Sequence, residues 1–190
     1  MARDSQRLEQ EFIATCAAKT GKSLDTWMQV LATSGLDKPN ALIKWLKENH
    51  PLNHMQAAFI TGIFLNDGQP VYDYAVLFAR LFDDKPHLLP AYRAIEDMVT
   101  THLTDVVCVP TKTYVSIEGK KCFACATPTK KTLRVGLDLG DIPFDAYVQK
   151  AKSLGAMPNI GHMIEISDAA EVNDRLLAYV QQSYQLTQAG

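Results

Sequence analysis

The residues that could do chemistry gather in one stretch, TYVSIEGKKCFACATPTKKTLRVGLDLG, residues 113–140. Lys120, Lys121, Lys130, Lys131 and Arg134 stand there among alternating apolar residues, and Lys112 immediately precedes them. Aromatic rings set between cations are the chemistry of single-stranded nucleic-acid binders, because bases stack on rings while cations hold phosphates. Lys112, Tyr114, Lys121, Phe123, Lys130, Lys131 and Arg134 are therefore candidate ligand contacts. The competing expectation is that Tyr114 and Phe123 pack beneath a helix while the lysine stems lie along its rim.

Three further groupings are weighed beside it. Cys122 and Cys125 form C-x-x-C, a spacing that can chelate zinc or cycle redox. Three apart in a strand they project to opposite faces, and neither a second C-x-x-C nor a suitably spaced histidine pair accompanies them, so no metal or cofactor site is expected. Glu118-Gly119-Lys120 matches the E-x-K element of metal-dependent nucleases, with Asp105 as an upstream acid, but the triplet coincides with a hairpin turn. His50 and His54 flank a proline and a helix start and lack the glutamate of H-E-x-x-H. His162, in NIGHMIEIS, shares parity with Ile164 and Ile166 and reads as a hydrogen-bonded histidine at the end of a strand, with an acid–base role as the alternative. No Ser/His/Asp grouping, phosphate-binding glycine loop or G-x-G-x-x-G is present.

These residues need a scaffold, and composition says which kind. Of 190 residues, 47% are hydrophobic and 21% charged, ordinary values for a globular chain of one domain or two small ones. The longest apolar runs, such as AAFITGIF, are far short of a bilayer span, so no membrane partner is expected. The polar start MARDSQRLEQEF lacks the apolar core of a signal peptide, and a cytoplasmic location with reduced cysteines is the default expectation. The net charge of −2 gives no global attraction for nucleic acid, yet residues 110–134 hold six basic residues against Glu118 alone. A local basic patch on an acidic body can attract an anion.

Helical periodicity fills the first third. Leu8, Phe12, Ile13 and Cys16 mark a first helix, stopped by Gly21; Ser23 caps a second with Leu24, Trp27, Met28 and Leu31. Pro39 opens a third with Leu42, Ile43, Trp45 and Leu46, and Asn53 caps a fourth, HMQAAFITGIFL. NDGQP, residues 66–70, is the candidate linker between a helical module over 1–66 and an α+β module over 72–190. Two helices, VYDYAVLFARLF and LLPAYRAIEDMVTTHL, open the second module. Strands are expected at TYVSIE, KCFACAT, LRVGLDL and HMIEIS, a helix at DAYVQKAKSL, and a final helix behind an Asp168/Glu171 capping box with the stripe Val172, Leu176, Val180, Tyr184. The fold class is α+β: a small helical bundle, then a mainly antiparallel sheet of about four strands packed by helices. With Gly119-Lys120 as the turn, Ser116 pairs with Phe123, and alternation puts Lys112, Tyr114, Lys121, Phe123 and Arg134 on the face opposite Val115, Ile117, Leu133, Val135 and Leu137.

TGKSLDTWMQVLATSGLDKPNALIKWLKENHPLNHMQAAFI resembles the bacterial domain-of-unknown-function family 4287 in its G-K-S-L, S-G and W-L-K…H…H-x-x-A pattern. Residues from about Ala75 to Tyr184 are similar to family 5655 in their K-x-Y-V, K-x-F-A, L-R-V-G-L and G-H elements. More distantly the second module resembles YjbR/MmcQ-like proteins, with Lys121, Phe123, Leu137 and His162 at matching elements, which implies a double-wing, DNA-binding-like fold. The leading expectation is a non-enzymatic binding protein for an anionic partner, nucleic acid first, contacted by Lys112, Tyr114, Lys121, Phe123, Lys130, Lys131, Arg134 and His162. The alternatives are a metal-dependent nuclease or other enzyme near the hairpin or the cleft between modules, and an interaction module using Trp27, Trp45 and AAFITGIFL for a partner or a homo-oligomer.

Overall fold

The computed structural model describes residues 5–152, 154 and 159–188. It divides into two compact units, Met1–Asp73 and Tyr74–Gly190, so residues 66–70 lie inside the first unit.

The first unit is four helices, α1 (Ser5–Thr20), α2 (Leu24–Ala32), α3 (Pro39–Asn49) and α4 (His54–Leu65). Their starts follow local chemistry. Ser23 Oγ accepts the Thr26 N–H, Pro39 opens α3, and Asn53 and Gln56 cap α4 reciprocally at 2.9 Å each. Phe12, Cys16, Trp27, Leu31, Leu42, Leu46, Ala57 and Ile60 form the core. Trp27 is buried, and its indole N–H donates to Thr20 Oγ1 at 2.8 Å; Trp45 meets the His50 ring edge-on. Glu9 of α1 is only 1% exposed. Its two carboxylate oxygens accept the backbone N–H groups of Val71 (2.9 Å) and Tyr72 (2.8 Å), which satisfies a buried charge.

The second unit opens with α5 (Tyr74–Phe82), a 3-10 turn at Pro86–Leu88 and α6 (Leu89–His102). Six strands follow: β1 (Val107–Pro110), β2 (Val115–Glu118), β3 (Cys122–Pro128), β4 (Leu133–Leu137), β5 (Gln149–Lys150) and β6 (His162–Ile166). They form one sheet in the order β1-β2-β3-β4-β6-β5, antiparallel at every step. The α+β class therefore holds, with six strands instead of four. The extra pair are the sheet's edges, both short, as edges that avoid further pairing tend to be. β5 takes the place of the helix expected at DAYVQKAKSL. Asp145 Oδ1 accepts the N–H groups of Tyr147 (2.7 Å) and Val148 (2.5 Å), closing a side-chain turn that competes with helix formation. Ser153 of that expected helix lies outside the described residues.

The Asp168/Glu171 pair caps a 3-10 turn, Ala169–Glu171, instead of the last helix. α7 (Asp174–Gln188) starts behind Asn173, whose Oδ1 accepts from Arg175 and Leu176. α6 and α7 cover one sheet face, where Tyr92, Ile95 and Val99 meet Val115, Ile117, Val135, Leu137 and Ile164, with Leu176 and Val180 from α7. The opposite face is packed by Leu154 and Ile160 over Cys125 and Met163.

A β-bulge sits where this second layer of contacts begins. Ile117 pairs with Ala124 but Glu118 pairs with Cys122, leaving Phe123 without a partner on β2. Ser116 consequently lies opposite Cys125, not opposite Phe123. Phe123 joins the core, fully buried and edge-on to Tyr184 of α7 at 5.2 Å. Its carbonyl accepts from the buried Ser183 Oγ at 2.5 Å, and the same hydroxyl accepts the Asp138 N–H at 2.9 Å. Ser183→Ala strands both backbone groups, and the expected loss is about 1–3 kcal/mol in denaturant unfolding. Gly136 is needed for room: a Cβ there would come within 2.7 Å of Cys125 Sγ and of Leu154 Cδ1. Gly136→Ala is expected to cost about 1–3 kcal/mol by overpacking, measured the same way.

Candidate functional site

The register sorts the basic residues into two groups. Pro110 pairs with Val115 and Pro128 with Leu133, so the β1–β2 and β3–β4 turns emerge at one end of the sheet. The β2–β3 turn emerges at the other, and the seven residues of β3 separate the two ends by about 20 Å. Lys112, Lys130 and Lys131 occupy the first end; Lys120 and Lys121 occupy the second. All five are exposed.

The two turns at the first end are built alike. Thr111 N–H and Oγ1 both donate to Tyr114 O (2.8 and 2.7 Å), while Oγ1 accepts from Thr113 N and Tyr114 N. Thr129 N–H and Oγ1 both donate to Thr132 O at 2.8 Å, and Oγ1 accepts from Lys131 N and Thr132 N. Each turn is thus closed on itself by a threonine hydroxyl, with lysines at its tip. Because Val115 pairs with Ala126, the turns stand side by side on adjacent strand pairs. None of the three lysines forms an ion pair among the described residues, although Lys130 is near enough to Asp84 to help lower its carboxyl, after the larger effect of the Lys85 hydrogen bond.

The other sequence candidates fall elsewhere. Arg134 is neutralised across the strands by Glu165 at 2.9 Å, its register partner. Phe123 is in the core, so stacking on a base is not open to it in this fold. Tyr114 is half-buried beside Cys125, and its phenol is raised by burial and then by Cys122, Cys125 and Glu118. His162 is 5% exposed, with Nε2–H donating to Ile142 O at 2.9 Å.

The bulge also corrects the expectation that Cys122 and Cys125 face apart. Skipping Phe123 turns Cys122 onto the Tyr114/Ser116/Cys125 face, where its Sγ lies 3.2 Å from Ser116 Oγ. Ser116 donates to Glu118 Oε1 at 2.9 Å, and Glu118 is 8% exposed. Glu118 thus turns inward to Ser116 while Lys120 stands exposed at the turn, which does not assemble the E-x-K arrangement. Burial raises the thiols of Cys16 and Cys122 and pushes those of Cys108 and Cys125 up to about 11 and about 12, so they stay protonated at neutral pH and are poor nucleophiles. Among the described residues no three His, Cys, Asp or Glu side chains gather to hold a metal ion, and no helix is long and apolar enough to cross a membrane. The bulge and the threonine turns were missed in the sequence; T-x-x-Y and T-x-x-T beside strand ends were the available signal for the turns.

A two-unit α+β chain with a basic sheet end is the class that these features define. Residues 79–187 match the family described as domain of unknown function (DUF5655), more than half of the chain, and the protein belongs to that family. Residues 9–64 match a second description, domain of unknown function (DUF4287). No curated protein and no solved structure matches the chain.

Thiol titration checks the burial pattern. With an aromatic disulfide at neutral pH, the half-buried Cys122 and Cys108 are expected to react slowly and Cys16 and Cys125 only on unfolding, with rates still rising above about pH 9. Four equal, fast thiols in the native protein would contradict it.

Proposed function

We propose that this protein is a non-enzymatic binding protein for an anionic partner, nucleic acid first, engaged through Lys112, Lys130 and Lys131 at one end of the sheet. The observation that carries the reading is the pair of side-by-side threonine-closed turns, which hold three exposed lysines, without an ion pair among the described residues, on backbone already fixed by hydrogen bonds. A fixed backbone lowers the ordering cost of binding, and three cations gathered on two adjacent turns can neutralise phosphates together. The contact is to phosphates, without the ring stacking that Phe123 would have supplied. It is accordingly expected to be weakly sequence-dependent.

Anisotropy titrations of labelled single-stranded and duplex oligonucleotides test this. Three phosphate contacts predict a slope of log affinity against log salt of about −2 to −3, so affinity falls by about sixteen- to sixtyfold between about 50 and 200 mM salt. Lys112→Glu, Lys130→Glu and Lys131→Glu combined are expected to remove binding. Lys120→Glu with Lys121→Glu, at the far end, should leave it nearly unchanged. Absence of binding at low salt, or equal weakening by the two sets, would count against the site.

A further inference from the structure

The first unit carries a groove between α1 and α4, made of two hollows of about 300 and about 110 Å³ that share Met55 and Phe59 as walls. Its floor is apolar. Phe59 stacks on the buried Phe12 with ring centroids 5.3 Å apart, and Leu8 lies beside them. Met55 and Tyr72 stand 56% and 37% exposed on the walls. Large apolar side chains left in water around a concave site are the mark of a ligand pocket. The two ends differ in polarity. Lys19, Glu11, Asn53 and Gln56 line the larger hollow. Ala58, Gly62 and Val71 line the smaller one, and the Glu9 carboxylate there is already taken by the Val71 and Tyr72 amides. Between Asn53 and Gly62 α4 rises about 13 Å.

We propose that this groove binds a medium-chain monocarboxylate, its carboxylate beside Lys19 and its alkyl chain running past Met55 and Phe59 toward Gly62. Size selects the class of ligand. At roughly 30 Å³ for each water-sized group, the larger hollow holds about ten methylene-sized groups and the smaller adds three or four. The same length admits only about two and a half turns of a docked helix, too little for a stable protein contact, which buries more than about 1,000 Å². Charge fixes the direction. Lys19 Nζ lies 3.0 Å from Glu11 Oε1, but both side chains are about half exposed, and such a pair contributes little. Glu11 also has Arg7 at 3.9 Å, so Lys19 can turn to an incoming carboxylate at small cost. Asn53 and Gln56 satisfy each other in the capping box, and the N-terminus of α4 adds the positive end of its dipole at this end of the groove. Among the described residues that line the smaller hollow the only charged group is Glu9, and two backbone donors hold it, so the alkyl chain meets no free charge there. The groove involves neither lysine turn, and it stands independently of the anion-binding reading.

Carbon-13 methyl NMR on the full chain, titrated with saturated straight-chain carboxylates below their micelle concentrations, tests this. With octanoate the Met55 and Val71 methyls are expected to shift together and saturate, while those of Ile117 and Leu137 in the second unit stay in place. Affinity should rise about fourfold with each methylene added to hexanoate, then level off by dodecanoate, where the groove is full. Ala58→Leu, at a half-buried helix position, fills the smaller hollow; it should bring the plateau forward to octanoate and leave hexanoate binding unchanged. Lys19→Gln should weaken octanoate about three- to fivefold and leave the neutral probe octanol unaffected. Unmoved Met55 and Val71 methyls at millimolar octanoate overturn the proposal, as do shifts spread over both units. So does a plateau that Ala58→Leu leaves in place, or an equal response of octanoate and octanol to Lys19→Gln.

Discussion

The arrangement of the second unit depends on one hydroxyl, that of Ser183. A β-bulge leaves the carbonyl of the skipped residue without a ladder partner, and in a sheet covered by a helix that carbonyl cannot turn to water. Ser183 reaches down from α7 to take it and receives the Asp138 N–H in return. The bulge can therefore exist only where α7 lies, and α7 is pinned to the sheet where the bulge falls. Phe123 going inward against Tyr184 and Cys122 going outward beside Ser116 are both results of that exchange.

Charge follows the same register logic. Lysines adjacent in sequence, Lys120 and Lys121, are about 20 Å of strand away from Lys130 and Lys131, while Lys112 joins the latter pair across a hairpin. Arg134, just beyond Lys131 in sequence and part of the same basic run, is neutralised by Glu165. What remains is two small basic ends in place of one basic face. The thiols show how strongly burial governs the opposite face: pairs that look reactive by spacing are pushed toward protonation by the packing above them.

Much of the fold was legible because its signals are local. Ser23, Asn53 and Pro39 announce helix starts through groups one to three residues away, and Leu133, Val135 and Leu137 declare a buried strand face by alternation alone. The failures share a different cause. The 145–154 stretch has helical apolar spacing, yet a single aspartate captures the N–H groups that a helix would use. Asp168 and Glu171 have capping-box spacing but close a 3-10 turn, and the helix waits for Asn173. The positions of Phe123 and Cys122 depend on a serine 60 residues further along the chain, which no local pattern reports. The composition of the candidate site was thus readable and its grouping was not, because grouping is a property of register.

Glu9 gives the first unit a timing as well as a shape. Its carboxylate is buried on α1, and the two amides that satisfy it, Val71 and Tyr72, come 62 and 63 residues later. Until those residues leave the ribosome, α1 carries a charge with no internal partner and cannot seat its inner face without penalty. The four helices can form and associate loosely during synthesis, but their final closure comes only when the chain has passed residue 72. A fragment cut at the Asn66–Pro70 turn would contain every helix of the bundle and still lack the two peptide groups that finish it.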